Sequence, residues 1–452
     1  MHQLDEQGLA LLEQALEIVR ERLTEVDVPL DYTATVAALN SAAPSLINRE
    51  GTPFEEVLEQ FSNVLAPAVL SSDSTRFLSF IPSAPTKAAT IFDMIVAASA
   101  LNGSSWLEAA GAVHAENQAL RAIADAAGLP DGAGGCFVSG GSAGNLSALA
   151  VARDTARRRL GRKAPMRVVA SDQAHSSISN TANLLDCEVV PVPTVDGKMS
   201  GAAVREVLAS DLDPESLCAI VATAGTTNAG RIDDLAGIAE LAREYGLWFH
   251  IDAAYGGAGL FAPSVRARYN GVEQADSIVV DPHKWLFSPL DCAALLYREP
   301  GLARLVHTQH AAYLDSIRHE PQEWNPTDYA YHLSRRPRGL PTWFSMAVYG
   351  LDAYAEAVET TLRAARYAAS RIREAEHLEL VAEPELSIVM FRRLGWNATD
   401  YDRWADRMLV EQIAFVLPSR WEDEPILRFA IVNPDTDEAV IDDILDRTSE
   451  AP

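Results

Sequence analysis

The stretch SIVVDPHKWLF, residues 277–287, decides the fold. A β-branched apolar run, Ile278 to Val280, reaches Asp281, turns at Pro282 and presents His283 and Lys284 ahead of Trp285. A short apolar run closed by a turn signal reads as a buried strand. A lysine on a loop is ordinarily a solvated charge. Its reading here depends on what else the chain delivers to the same place.

From residue 135 onward the chain repeats this texture in GCFVSGG, MRVVASD, CEVVPVP, LCAIVATAG, LWFHIDAAY and CAALLYRE. Most of these runs are separated by helical stretches such as AGNLSALAVARDTARRRL and DLAGIAELAREYG. Alternating strand and helix predicts an α/β fold with a mainly parallel sheet and helices on both faces. The first 130 residues read as helices and loops without a sheet of their own. After about residue 345 a long helix, SMAVYGLDAYAEAVETTLRAARYAASRIREA, precedes the strand-like LSIVMFRR and ILRFAIVNP. The expected organisation is a helical segment over 1–85, a large α/β domain over 86–345 and a small α+β domain over 346–452.

With 452 residues, 48% of them hydrophobic, the chain can bury a sizeable core. Its net charge of -26 argues against nucleic acid as a partner. Cys136, Cys187, Cys218 and Cys292 form no CxxC pair, which suits reduced thiols and offers no metal site. The opening MHQLDEQGLALLEQ is acidic and periodic, unlike a signal peptide, and no apolar run is long enough to span a membrane. A soluble, cytoplasmic protein is expected.

In an open α/β sheet, ligands bind beyond the carboxyl ends of the strands. GCFVSG ends in Gly140, Gly141, Ser142, Ala143 and Gly144 just before a helix, and bare N–H groups at a positive helix end suit a phosphate. The spacing is neither the GxGxxG of a dinucleotide site nor a nucleotide P-loop. MRVVASD leads to His175, LCAIVATAG to Thr226 and Thr227, LWFHID to Asp252 and then Ala254, and SIVVD to His283 and Lys284. Taken singly, these are a tight turn, a structural histidine, a plain turn, a helix cap and a surface charge. Taken jointly, they match pyridoxal phosphate. Its aldehyde wants a lysine amine, its pyridine nitrogen a carboxylate, its phosphate N–H groups, and its flat ring an imidazole to stack on.

The motifs SDQAHSS (171–177), ATAGTT (222–227), HIDAAYGG (250–257), ADSIVVDPHKWL (275–286) and SRRPRGLPTWF (334–344) resemble those of the pyridoxal-phosphate-dependent group II amino acid decarboxylases, which include aromatic-L-amino-acid and glutamate decarboxylases. The resemblance implies a fold-type-I homodimer whose N-terminal helices wrap the partner and whose active sites lie at the subunit interface. It makes Lys284 the Schiff-base lysine, His283 its neighbour, Asp252 the partner of the ring nitrogen, Ala254 the small residue under the ring and His175 the stacking histidine. Gly141 and Ser142 fall at the phosphate turn, and Thr227 at a cofactor contact. TDY (327–329) matches a mobile loop that reaches the other subunit, so Tyr329 is the expected acid that protonates Cα. Phe77 and Phe80 of FLSFIPSAPT, with Ser334, are candidate substrate contacts, although the phenylalanines read equally well as core.

Two departures stand out. Asp281 replaces the asparagine usual in the aromatic branch, and the stretch from Tyr329 to Arg335 is shorter, which unsettles the matching of Ser334 and Arg338. The implied reaction is decarboxylation of an L-amino acid to amine and carbon dioxide, with an aromatic substrate favoured. Glutamate, aspartate and diaminobutyrate are alternative substrates. A decarboxylating aldehyde synthase, in which phenylalanine typically replaces the loop tyrosine, and a carbon–carbon lyase are rival activities. Retention of Lys284, Asp252, His175 and Tyr329 argues against a non-catalytic scaffold.

Overall fold

The computed structural model describes residues 4–161, 165–311 and 323–451. Seven strands form the central sheet: β1 (Gly134–Val138), β2 (Met166–Ser171), β3 (Cys187–Val192), β4 (Leu217–Thr223), β5 (Trp248–Asp252), β6 (Ser277–Val280) and β7 (Ala293–Tyr297). Their order is β1-β7-β6-β5-β4-β2-β3, and only β7 runs against its neighbours. β4 and β6 are buried along their whole length, as strands covered on both faces must be.

Side chains alternate between the two faces of a strand, and that alternation sorts the core. Phe249, Ile251, Ile278 and Val280 enter one apolar layer, while Trp248 and Val279 enter the other with Ala148 and Ala152 of the helix Gly141–Leu160. This helix lies close against β6. A Cβ on Gly144 would come within 2.6 Å of Val279 Cγ2, so the approach requires glycine there.

A second, antiparallel sheet of order β10-β11-β9-β8 comprises β8 (Leu378–Ala382), β9 (Ile388–Arg393), β10 (Pro418–Trp421) and β11 (Glu424–Ala430). Val389, Phe391 and Phe429 pack there against Ala365, Ala368 and Ile372 of the helix Leu351–Glu374. The single helix expected from residue 345 is in fact two, Leu340–Tyr349 and Leu351–Glu374. Gly350, at φ 80° and ψ 158°, breaks the run where the apolar periodicity alone does not.

Ahead of β1 lie the helices Glu6–Thr24, Val36–Ala42, Phe54–Gln60, Lys87–Ala98 and Trp106–Ala126. The first two begin at side-chain caps, Asp5 accepting from Gly8 N–H and Thr35 from Ala38 N–H. Among the described residues no helix is long and apolar enough to cross a membrane, and no cluster of His, Cys, Asp and Glu could hold a metal ion.

Candidate active site

Parallel register brings the strand ends level. Thr223 of β4 pairs with Asp252 of β5, and Asp252 with Val279 of β6. Beyond them opens a cavity of about 260 Å³ lined by Gly141, Ser142, His175, Thr227, Asp252, Ala254, Asp281, His283 and Lys284, together with Asn145, Ser177 and Tyr255. Nine sequence-derived candidates therefore meet in one place. A larger hollow of about 740 Å³, bordered by Asp27, Lys87, Tyr354 and Asn433, contains none of them. The chemistry, not the volume, marks the smaller one.

Lys284 stands on the short helix Pro282–Trp285, anchored by Trp285, whose indole stacks on Tyr255 and donates to Thr361 Oγ1 at 2.9 Å. Its Nζ lies 3.0 Å from Asp281 Oδ2. Burial would lower the ammonium's pKa, but the charges of Asp281 and Asp252 and the hydrogen bond to Asp281 outweigh it, and the net shift is upward. Asp281 Oδ2 also accepts from Gly141 N–H at 3.1 Å, while its Oδ1 is buried with no hydrogen-bond partner among the described residues. His283 is locked by its backbone, since Cys292 N–H donates to its Nδ1 at 3.0 Å, and burial lowers its pKa.

Asp252 is 5% exposed, and both of its oxygens are engaged. Oδ1 accepts from Ala254 N–H at 3.1 Å and Oδ2 from Asn145 Nδ2 at 2.9 Å. His175 Nδ1 accepts from Ser177 N–H at 3.2 Å. The helix starting at Gly141 has no side-chain cap of its own, and of its first two N–H groups Gly141's binds Asp281 while Ser142's faces the cavity end of the helix, where an anion is favoured. Gly141 is also confined, because a Cβ there would lie 2.9 Å from Ala254 Cβ.

The remaining candidates are elsewhere. Tyr329 is 1% exposed and packed in its own subunit, stacked on Trp324 with ring centroids 4.2 Å apart. Its carbonyl accepts from Tyr297 Oη at 3.0 Å, and burial pushes its phenol pKa up. It does not line this chain's cavity, where the expectation drawn from TDY had it reach the site of the other subunit. The exposed tyrosine of that segment is Tyr331. Phe77 is core, edge-on to Phe415 at 4.8 Å, whereas Phe80 is exposed, and neither lines the cavity. Ser334 is likewise exposed and outside it.

Sequence reasoning missed three residues. Asn145 lies four positions after Gly141, on the same face of a helix, and Ser177 two after His175; both spacings were available as signals. Arg428, which does not line the cavity but binds the carbonyl of Thr227 at its edge, gave none, because it comes from the second sheet. It is 7% exposed, and its Nη2 donates to the carbonyls of Phe80 and Thr227 at 2.9 and 2.8 Å. No carboxylate pairs with it among the described residues, and burial lowers its pKa to about 10.

This set of groups fits pyridoxal phosphate: an amine at Lys284, a buried carboxylate at Asp252, an imidazole at His175 and a helix start at Gly141 and Ser142. Residues 37–394 match the family described as "Pyridoxal-dependent decarboxylase conserved domain", and the chain belongs to it. It is a carboxy-lyase that uses pyridoxal phosphate. It is 27% identical over 439 residues to an aromatic-L-amino-acid decarboxylase of Bacillus atrophaeus, covering 94% of this chain and 91% of that one. The crystal structure of Oryza sativa TDC with PLP and tryptamine superposes with a TM-score of 0.90 at 25% identity, covering 99% of both chains. A Rhodiola rosea 4-hydroxyphenylacetaldehyde synthase shares the fold, with a TM-score of 0.88 at 22% identity over 98% of each chain.

Proposed function

We propose that this protein decarboxylates an aromatic L-amino acid to its amine, working as a cytoplasmic homodimer. The observation that carries the reading is the meeting of Lys284, Asp252 and His175 around one cavity. Similarity to proteins named for aromatic substrates supports the substrate class. Exposed Leu9, Val36, Phe54, Phe61, Ile91 and Ile95 on the N-terminal helices support self-association. Four free thiols fit a reducing compartment.

When bound, pyridoxal phosphate supplies an aldehyde for Lys284 and a protonated ring that takes up the electron pair left by departing carbon dioxide. Lys284 holds the cofactor and releases the product. Asp252, an acceptor on both oxygens, keeps the ring nitrogen protonated. Ser142 and the helix start at Gly141 hold the phosphate, and Ala254 leaves room for the ring. His175 lines the cavity beside the ring, and the proton that replaces carbon dioxide at Cα is drawn from solvent at the cavity mouth. Arg428, a buried cation with no carboxylate partner among the described residues, receives the substrate carboxylate.

The test is direct. Purified protein should absorb in the visible, and borohydride should fix the cofactor on Lys284. Incubation with aromatic, acidic and diamino acids should release amine and carbon dioxide fastest from the aromatic set. Aldehyde and peroxide are measured in the same assays, which separates a decarboxylase from an aldehyde synthase. Label on another lysine, or preference for an acidic substrate, would overturn the corresponding part of the reading.

A further inference from the structure

One face of β5 carries Trp248, His250 and Asp252 at alternate positions, and hydrogen bonds string the three together. Trp248 Nε1 donates to Ser277 Oγ at 2.8 Å, and Ser277 Oγ lies 2.8 Å from His250 Nδ1. His250 Nε2 lies 2.8 Å from Asn145 Oδ1. Asn145 Nδ2 then donates to Asp252 Oδ2 and Ser177 Oγ, both at 2.9 Å. His250, Asn145 and Ser277 are all buried, and the cavity touches only the Asn145 end of the chain.

The two ends fix its direction. An indole N–H can only donate, and an ionised carboxylate can only accept. Asn145 must turn its NH2 toward Asp252, because the reverse would set two oxygens 2.9 Å apart. Its carbonyl then faces His250, so Nε2 of that ring carries a hydrogen. Burial lowers the His250 pKa to about 4, so the ring is neutral near pH 7 and Nδ1 accepts. Ser277 accepts from Trp248 and gives its one hydrogen to that Nδ1. At the far end Ser177 accepts from Asn145 and presents both its N–H and its hydroxyl to His175 Nδ1, at 3.2 and 2.9 Å. The proton of a neutral His175 is thereby assigned to Nε2. Every donor points from Trp248 toward the cavity.

We propose that Asn145 is the positioning residue for both cavity groups. It fixes Asp252 as a hydrogen-bond acceptor and His175 as an Nε2–H imidazole, and His250 holds its amide in the one orientation that does so. The effect on the cofactor rests on the reading of Asp252 as the partner of the ring nitrogen; the arrangement of hydrogens does not.

The test pairs His250→Gln with His250→Leu. Both remove the ring, but only glutamine retains a donor that can reach the Asn145 carbonyl. Pyridoxal phosphate is titrated into each apo-variant by absorbance, with Asp252→Ala alongside. The glutamine variant is expected to bind within about threefold of wild type and the leucine variant at least about tenfold more weakly, the scale of one hydrogen bond to a charged group. Equal binding by the two, with Asp252→Ala weakened, overturns the proposal and leaves the site reading standing. Unchanged binding by Asp252→Ala overturns the site reading and this inference with it. Should neither His250 variant fold, the wild-type holoprotein decides through its ¹⁵N-labelled histidine rings. His250 and His175 are expected as Nε2–H tautomers, and an Nδ1–H signal from His250 overturns the proposal.

Discussion

The ends of β5 and β6 and the segment 323–335 both bring aromatic and charged side chains into the middle of the chain, and they use them in opposite ways. At the strand ends the backbone is fully paired, so Asp252 and Lys284 emerge from a fixed frame with their tips at the cavity. In the segment the side chains are consumed by packing. Trp324 covers Tyr329, and Arg335 is held by Glu116 in a two-pronged pair with both contacts at 2.7 Å. Glu116 has no oxygen to spare, since Gly339 N–H also binds it at 2.8 Å. Burial by itself therefore says little about function. Unspent hydrogen-bonding capacity facing a cavity says more.

That contrast is sharpest for Lys284→Ala. Loss of the amine should abolish covalent attachment and reduce decarboxylation by about 10⁴-fold or more, measured as carbon dioxide released, while the melting temperature stays close to wild type. Asp252→Ala should follow, with turnover down about a hundredfold or more and the fold retained. Near-normal turnover would reduce Asp252 to a cap. Arg428→Met should raise KM about tenfold with a smaller change in kcat, since it removes one charge-assisted bond to substrate. A fall in kcat alone would remove Arg428 from substrate binding.

Acid should weaken both regions together. Burial lowers the pKa of His250 from 6.5 to about 4 and that of His332 to about 3, so the unfolded chain binds more protons than the folded one below pH 6.5. Stability from a neutral buried histidine is thus fully present above pH 6.5 and is lost as pH falls toward the folded pKa. For His250 the loss approaches about 3 kcal/mol by pH 4, and urea unfolding at a series of pH values should trace it. His250→Gln should flatten the curve.

The smallest effect is expected from Tyr329→Phe. Its ring packs on Trp324 outside the cavity, so amine formation should change by less than about threefold. A large loss of amine with aldehyde appearing would return Tyr329 to the chemistry and break the distinction between the two regions.

The strands were legible because buried strands admit few polar residues, so the few that appear at their ends stand out. Lys284, Asp252 and His175 could be read that way. Tyr329 could not, because a matching triplet says nothing about the tryptophan five residues earlier that covers it. Phe77 likewise meets its partner Phe415 only through a long-range bridge. Arg428 reaches Thr227 across 201 residues, from a different sheet. Local pattern finds what a strand presents; it does not find what another part of the chain folds over it.

The contact between Asp281 and Lys284 has a consequence for the life of the protein before the cofactor arrives. An isolated ammonium in so enclosed a place would oppose folding, but here it already has its counter-charge 3.0 Å away. Synthesis of the chain and loading of the cofactor can therefore be separate events, and a reserve of folded, empty protein is chemically tolerable. The same contact sets the toll on loading, because Lys284 must leave Asp281 and shed a proton before it can react. Asparagine at position 281 would trade that reserve for faster loading.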